Sequence, residues 1–392
     1  MIRALVLAAV LVACKQNEVP PSRTAFYATS FTRQPSAAEM TALGRLVFSD
    51  RSLSASGDLA CATCHDPASA YGPANDLAVQ RGGRDGTLAG QRATPSLRYL
   101  QAVPRFSEHY HEPDGDGTDQ GPTGGFAWDG RAMSTHEQAK LPLYSPLEMA
   151  NRDVAELAAR LRRSPHATRF RAAFGSDVLD TDASSETALL LVLEVFQQSA
   201  PDFYPYSSKY DAVLRGKATL ADSESRGRAI FDDPHKGNCA SCHPSRNADS
   251  GFPAFTDFGF VALGVPRNPA IAANADPEYF DLGLCGPLRT DLATHPEYCG
   301  MFKTPSLRNV ARRHRFMHNG VFTSLDQVIR FYTTRDRDPA KWPKDDLPAR
   351  YLANLNTDPP FGHQPEPVLT DEEITSLVAF LGTLDDGFSA EP

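Results

Sequence analysis

Two five-residue runs constrain this chain more than anything else in it: Cys61-Ala62-Thr63-Cys64-His65 and Cys239-Ala240-Ser241-Cys242-His243. Two thiols one helical turn apart reach the two vinyl groups of a single porphyrin, and the His directly after them sits under the iron. A C-x-x-C pair alone also suits a zinc half-site or a redox-active dithiol. The His that follows, and the second copy of the whole run, favour two covalently bound haem c groups. Cys61, Cys64, Cys239 and Cys242 are then thioether residues, and His65 and His243 are proximal iron ligands.

Three more of the seven cysteines remain. Arg3 and the short apolar run from Ala4 to Ala13 read as a signal segment, too short for a stable membrane anchor. It ends Leu11-Val12-Ala13-Cys14, a lipobox-like sequence that makes Cys14 the expected lipidated residue and membrane tether of a periplasmic lipoprotein. Simple cleavage nearby, leaving a soluble periplasmic protein, is the alternative. Cys285 and Cys299 enclose 13 residues and suit a structural disulfide, worth about 3 kcal/mol. A net charge of −9 argues against nucleic acid as a partner.

Residues 15–37 are polar and carry three prolines, which reads as a spacer, with the fold expected from Ala38. Helix signals dominate beyond it. Asp153 to Arg163 is charged and amphipathic, and Glu186 to Phe196 is apolar nearly all round. Thr370 and Glu373 form a capping box ahead of Ile374, Leu377, Val378 and Leu381 on one face. With 31 Pro and 27 Gly the chain is also rich in loops.

The chain repeats itself as well. Gly44-Arg45-Leu46-Val47-Phe48 precedes the first haem run and Gly227-Arg228-Ala229-Ile230-Phe231 the second. Thr94-Pro95-Ser96-Leu97-Arg98 returns unchanged as Thr304-Pro305-Ser306-Leu307-Arg308, and Trp128-Asp129-Gly130 as His318-Asn319-Gly320. Recurrence in this order predicts a mainly α, loop-rich protein of two cytochrome c-like haem domains, 38–210 and 211–392, related by internal duplication. The first copy has an insertion, His109 to Gly125, with Asp114, Asp116 and Asp119 spaced as a Ca²⁺ loop or a solvated acidic loop would have them.

The order C-x-x-C-H, T-P-S-L-R, W-D-G-R, E-Q-A-K, P-L-E-M resembles the bacterial di-haem cytochrome c peroxidase and MauG superfamily over almost the whole mature chain. The resemblance implies that the first haem meets hydrogen peroxide and the second handles electrons, with Trp128 between them. It further implies that Gln138, Pro142 and Glu148 line the peroxide pocket. A carboxylate held in a dry pocket can take a proton from one peroxide oxygen and return it to the other if burial raises its pKa, and Glu148 is that candidate. Glu148 as an exposed helix-end residue and Trp128 as a core aromatic are the plainer alternatives.

Two departures refine the picture. Peroxidases of this family cap the first haem with a loop His, yet no His occurs from Asp66 to Arg105, and His109 and His111 come only in the insertion. This predicts an open sixth position on the first iron. At the second haem the chain has Phe331-Tyr332 where MauG-like members have a Tyr ligand. A phenolate is a hard anionic donor that favours oxidised iron, and Met317 is the rival ligand. Calcium is an open expectation, since the family's Asn position reads Ala93, leaving backbone oxygens near Thr304. Asp281 to Pro287, Met301 to Leu307 and Phe331 to Asp336 look like the MbnH branch. That implies peroxide-dependent oxidation, through high-valent haem, of a partner-protein side chain, Trp to kynurenine on an MbnP-like copper-binding partner. A periplasmic peroxidase fed by a small cytochrome or copper protein is the second reading, and a non-catalytic electron-transfer cytochrome the third.

Overall fold

The computed structural model describes residues 31–112, 117–246, 251–361 and 368–389. Cys14, the signal segment, Asp114 and Asp116 lie outside the described residues. The expected spacer ends earlier than residue 37. Phe31 packs its ring on Phe174 at 4.7 Å, and the Arg33 amide donates to the Phe174 carbonyl at 2.9 Å. An apolar side chain with a ready partner is enough to dock this stretch, and the proline-rich composition concealed it.

The protein is mostly helical. α1 (Ala37–Phe48) starts at a capping box of Ser36 and Glu39, and it buries Leu43, Val47 and Phe48. The first haem run forms the one-turn helix α2 (Cys61–Cys64), after which β1 (Arg81–Gly82) and β2 (Leu88–Ala89) pair antiparallel. α3 (Thr135–Tyr144), α4 (Val154–Arg163), α5 (Ala167–Phe174) and α6 (Asp182–Gln197) complete the first core. In α6 residues 188 to 193 are all buried, as its uniformly apolar sequence requires. Short helices α7 (Ala200–Phe203) and α8 (Lys209–Leu214) lead to α9 (Asp222–Asp232). The second haem run forms a 3₁₀ turn, Cys239–Ser241. Antiparallel strands β3 (Phe260–Ala262) and β4 (Met301–Lys303), then α10 (Leu325–Thr334) and α11 (Asp371–Gly382), follow.

Apolar side chains gather in two clusters, one running from Leu43 to Phe203 and the other from Tyr210 to Leu384. Each is built on a crossing of two helices at a glycine. A methyl group on Gly44 of α1 would strike the Val192 carbonyl of α6, and one on Gly227 of α9 would strike the Ser376 carbonyl of α11. Only glycine lets the backbones approach so closely.

The halves are joined by paired backbone and buried charge. The Gly124 amide donates to the Phe258 carbonyl (2.9 Å), Lys303 to Trp128 (2.9 Å) and Ala93 to His318 (2.7 Å). Arg92 bridges Asp129 at 2.7 Å and Asp281 at 2.6 Å, all three nearly inaccessible. Asp386, near the C-terminal end, accepts from Tyr99 (2.6 Å), Arg98 (2.8 Å) and Asn309 (2.7 Å). Cys285 and Cys299 are joined by a disulfide across the segment that precedes β4. Among the described residues no helix is long and apolar enough to cross a membrane.

Candidate active site: one cavity with two lobes

One cavity of about 1090 Å³ runs between the halves, and both haem runs open into it. In its first lobe the backbone from Ala70 to Tyr71 turns through the left-handed region and brings the Tyr71 carbonyl to Nδ1 of His65 at 3.0 Å. In the second, Phe255 has the same backbone sign, and its carbonyl lies 2.8 Å from Nδ1 of His243. A carbonyl only accepts, so Nδ1 carries the proton in both rings and Nε2 keeps a lone pair. Burial lowers both imidazole pKa values to about 4, so each ring is neutral. A neutral, oriented imidazole is the form that binds metal.

The four thiols are unoxidised, and burial pushes Cys61, Cys64 and Cys239 up to about 12. Thiols, rings and a mainly apolar lining fit two covalently attached porphyrins. The zinc reading has no such fit. Among the described residues no three His, Cys, Asp or Glu side chains gather as a metal cluster. The backbone oxygens expected near a calcium each accept a hydrogen bond. The Ala93 carbonyl accepts from Trp128 Nε1 at 2.7 Å and the Thr304 carbonyl from the Thr256 hydroxyl at 2.7 Å.

Gln138, Pro142 and Glu148 all border the cavity, as does Trp128. α3 places the first two. Ser134 caps its start, and Pro142 one turn beyond Gln138 interrupts the hydrogen-bond ladder. Glu148 sits where the chain turns out of α3, its amide bonded to the Ser145 carbonyl at 3.0 Å. Glu148 is exposed on the cavity side, and the chain packed around it displaces part of its hydration. Burial therefore raises its pKa, against a hydrogen bond from Ser145 and the charge of Arg131. Among the described residues the histidines that line the cavity are His65, His243 and His318, and His318 is held by Asp346 at 3.0 Å and stacked on Phe302. His109 is an exposed partner of Asp119 at 2.7 Å, and His111 is exposed on the same hairpin.

In the second lobe α10 directs Tyr332 toward the thiols of Cys239 and Cys242, and its pKa is raised by burial and by both sulfurs. Its ring packs on Phe361 at 5.0 Å. Met317 borders the same cavity with a positive φ of 68°.

Sequence reasoning missed Arg131, Lys303 and Arg313, which also line the cavity. Arg131 pairs with Asp129 at 2.7 Å. Arg131 and Lys303 stood inside motifs already singled out, but no pattern marked Arg313.

A family model for di-haem cytochrome c peroxidase matches residues 38–219. The methylamine utilization protein MauG of Paracoccus denitrificans (strain Pd 1222) is 36% identical over 381 residues, 91% of this chain and 91% of its own length. The chain therefore belongs to the di-haem cytochrome c peroxidase and MauG family, and it is a two-haem oxidoreductase. Among solved structures it is similar to the diheme peroxidase BthA from Burkholderia thailandensis E264, at 38% identity and a TM-score of 0.81, over 90% of this chain and 87% of that one. BthA has also been solved as a tyrosine-to-methionine variant. A MauG-like protein associated with microbial copper homeostasis matches at 25% identity and a TM-score of 0.65, over 90% and 91% of the two chains.

Proposed function

We propose that the protein uses hydrogen peroxide to oxidise a side chain of a partner protein. The observation that carries this reading is the place of Tyr332, which borders the cavity beside Cys239 and Cys242. Tyr332 would then help His243 hold the second haem. An anionic oxygen donor favours a metal that stores oxidising equivalents over one that passes electrons at high potential. The first lobe supplies the complementary half, with Gln138 and Glu148 bordering the same cavity as His65. The haems supply the redox chemistry with peroxide, and the residues around them handle its protons. Gln138 orients the peroxide by hydrogen bonding, and Glu148 takes a proton from the near oxygen and returns it to the far one as the O–O bond breaks. Pro142 keeps the wall of this pocket free of a competing donor. Trp128 stands between the lobes as the electron relay.

The same reading places the chain in the periplasm, exported by its signal segment and tethered through Cys14. It divides the chain at residues 210 and 211 into halves descended from one ancestral unit. The matched carbonyls under His65 and His243, and the matched glycine crossings, support that descent. Similarity to the copper-associated relative fits a partner in copper handling, and the MbnH-like motifs add an MbnP-like partner and a Trp to kynurenine product to the proposal. Calcium has no part in this scheme.

Mixing the diferric protein with one equivalent of peroxide tests the proposal. Two oxidising equivalents, titratable with a one-electron donor, should persist without prior reduction, and Tyr332→Met should shorten their lifetime at least tenfold. A parent protein that needs pre-reduction, or a Tyr332→Met variant with an unchanged spectrum, would instead favour the second reading. That reading is a peroxidase fed by a small redox protein with Met317 on iron, and the place of Met317 on the same cavity wall supports it.

A further inference from the structure

Two cations of the second half face the cavity without an anion to balance them. Lys303, at the end of β4, donates to the Gly125 carbonyl, and Arg313 donates to the Thr94 carbonyl at 2.9 Å. Both acceptors belong to the first half, and neither cation forms an ion pair among the described residues. Asp129 is the one acidic group that acts on Lys303, and it is already held by Arg92 and Arg131. Nothing offsets the burial of Arg313, which lies close enough to His65 to act on it electrostatically. Burial lowers Lys303 to about 8 and Arg313 to about 10, the direction expected of cations removed from water without compensation. An uncompensated buried charge is expensive, so the folded, loaded protein must bring an anion to each.

The repeat sharpens this. With Thr94 to Arg98 laid on Thr304 to Arg308, Lys303 falls opposite Ala93 and Arg313 opposite Val103. The five-residue run is kept in both halves, while the flanking cations exist in one. They are therefore not part of what every haem run in this chain needs.

We propose that Lys303 and Arg313 are the counter-ions of porphyrin carboxylates at the junction of the two lobes, with Arg313 reaching from the second half to the haem held by His65. The second half thus sets part of the charge around a cofactor bound to the first. A cation beside a porphyrin carboxylate favours the reduced iron, so these side chains raise the midpoint potential of the haem they face and make the two haems unequal. This deepens the two-haem reading and is independent of the choice between oxidase and peroxidase, because peroxide plays no part in the readout.

The experiment is spectroelectrochemistry and resonance Raman spectroscopy on the holoprotein, comparing the parent with Lys303→Gln and Arg313→Gln. Each substitution keeps a donor for its carbonyl and removes the charge. Expected are a full complement of two haems, a fall in the midpoint potential of one haem, and a shift of a propionate bending band. Arg313→Gln should act on the haem of His65, and the Lys303→Gln titration identifies which porphyrin its carboxylate belongs to. Should a Gln variant fail to accumulate, Lys303→Arg and Arg313→Lys keep the charge but move it. They are expected to shift the band while holding the potential near that of the parent. Unchanged potentials and bands across these variants overturn the proposal.

Discussion

Glu148 shows how one side chain acquires a chemical task from its surroundings. Burial raises its pKa, and neither the Ser145 hydrogen bond nor Arg131 cancels the effect. A carboxyl must be ionised to accept a proton, so the rate of reaction with peroxide should fall as pH drops through a pKa above the ordinary carboxylate range. Glu148→Gln should slow the reaction by about 10²–10⁴-fold and abolish that pH dependence, as stopped-flow measurements across the acidic range would reveal. A rate that keeps its pH profile in the variant assigns the proton transfer elsewhere. At this scale much was legible. His65, His243, Glu148, Gln138, Trp128 and Tyr332 carry signatures in spacing or family motif, and all of them border the cavity. Arg313 carried none, because its role depends on a neighbour in the other half, and no local pattern encodes an approach across 219 residues.

Among the elements, the helices were the most readable part of the chain. Asp153 caps α4, Thr370 and Glu373 form the capping box of α11, and the apolar run from Glu186 lies inside α6. Caps and periodicity are local physics, and they survive into the fold. The close crossings of α1 on α6 and α9 on α11 are not local. Gly44 and Gly227 head two similar sequences, but the reason appears only when the facing carbonyls of Val192 and Ser376 are in place. Gly44→Ala and Gly227→Ala should each destabilise the protein by about 1–3 kcal/mol through overpacking, despite the better helix propensity of alanine. Thermal unfolding of the two variants checks this, with Gly382→Ala as a control where an added methyl meets nothing within 4 Å.

The molecule as a whole is tied together near its C-terminal end. Asp386 collects Tyr99 and Arg98 from the first half and Asn309 from the second, one more tie between the halves beside the Arg92 bridges. Its neighbour Asp385 has no such company. One of its oxygens is buried without a partner, and burial raises its pKa from 3.8 to about 6 although Arg312 lies 3.7 Å away. A carboxyl with a raised folded pKa binds protons more tightly in the native state, so stability declines as pH rises between its unfolded and folded values. Asp385→Asn should therefore stabilise by about 1–2 kcal/mol near pH 7.5 and bring no gain near pH 4, measured as the shift in Tm at each pH. The single chamber between the two cores has a consequence for how the protein comes into being. On the proposed haem attachment, all four thioether sulfurs belong to partly buried residues on that cavity, a poor place for a ligase to work once the chain has closed. Cofactor attachment must then precede the closing of the chain, and adding free porphyrin to a refolded polypeptide should yield no thioethers however long the two are left together.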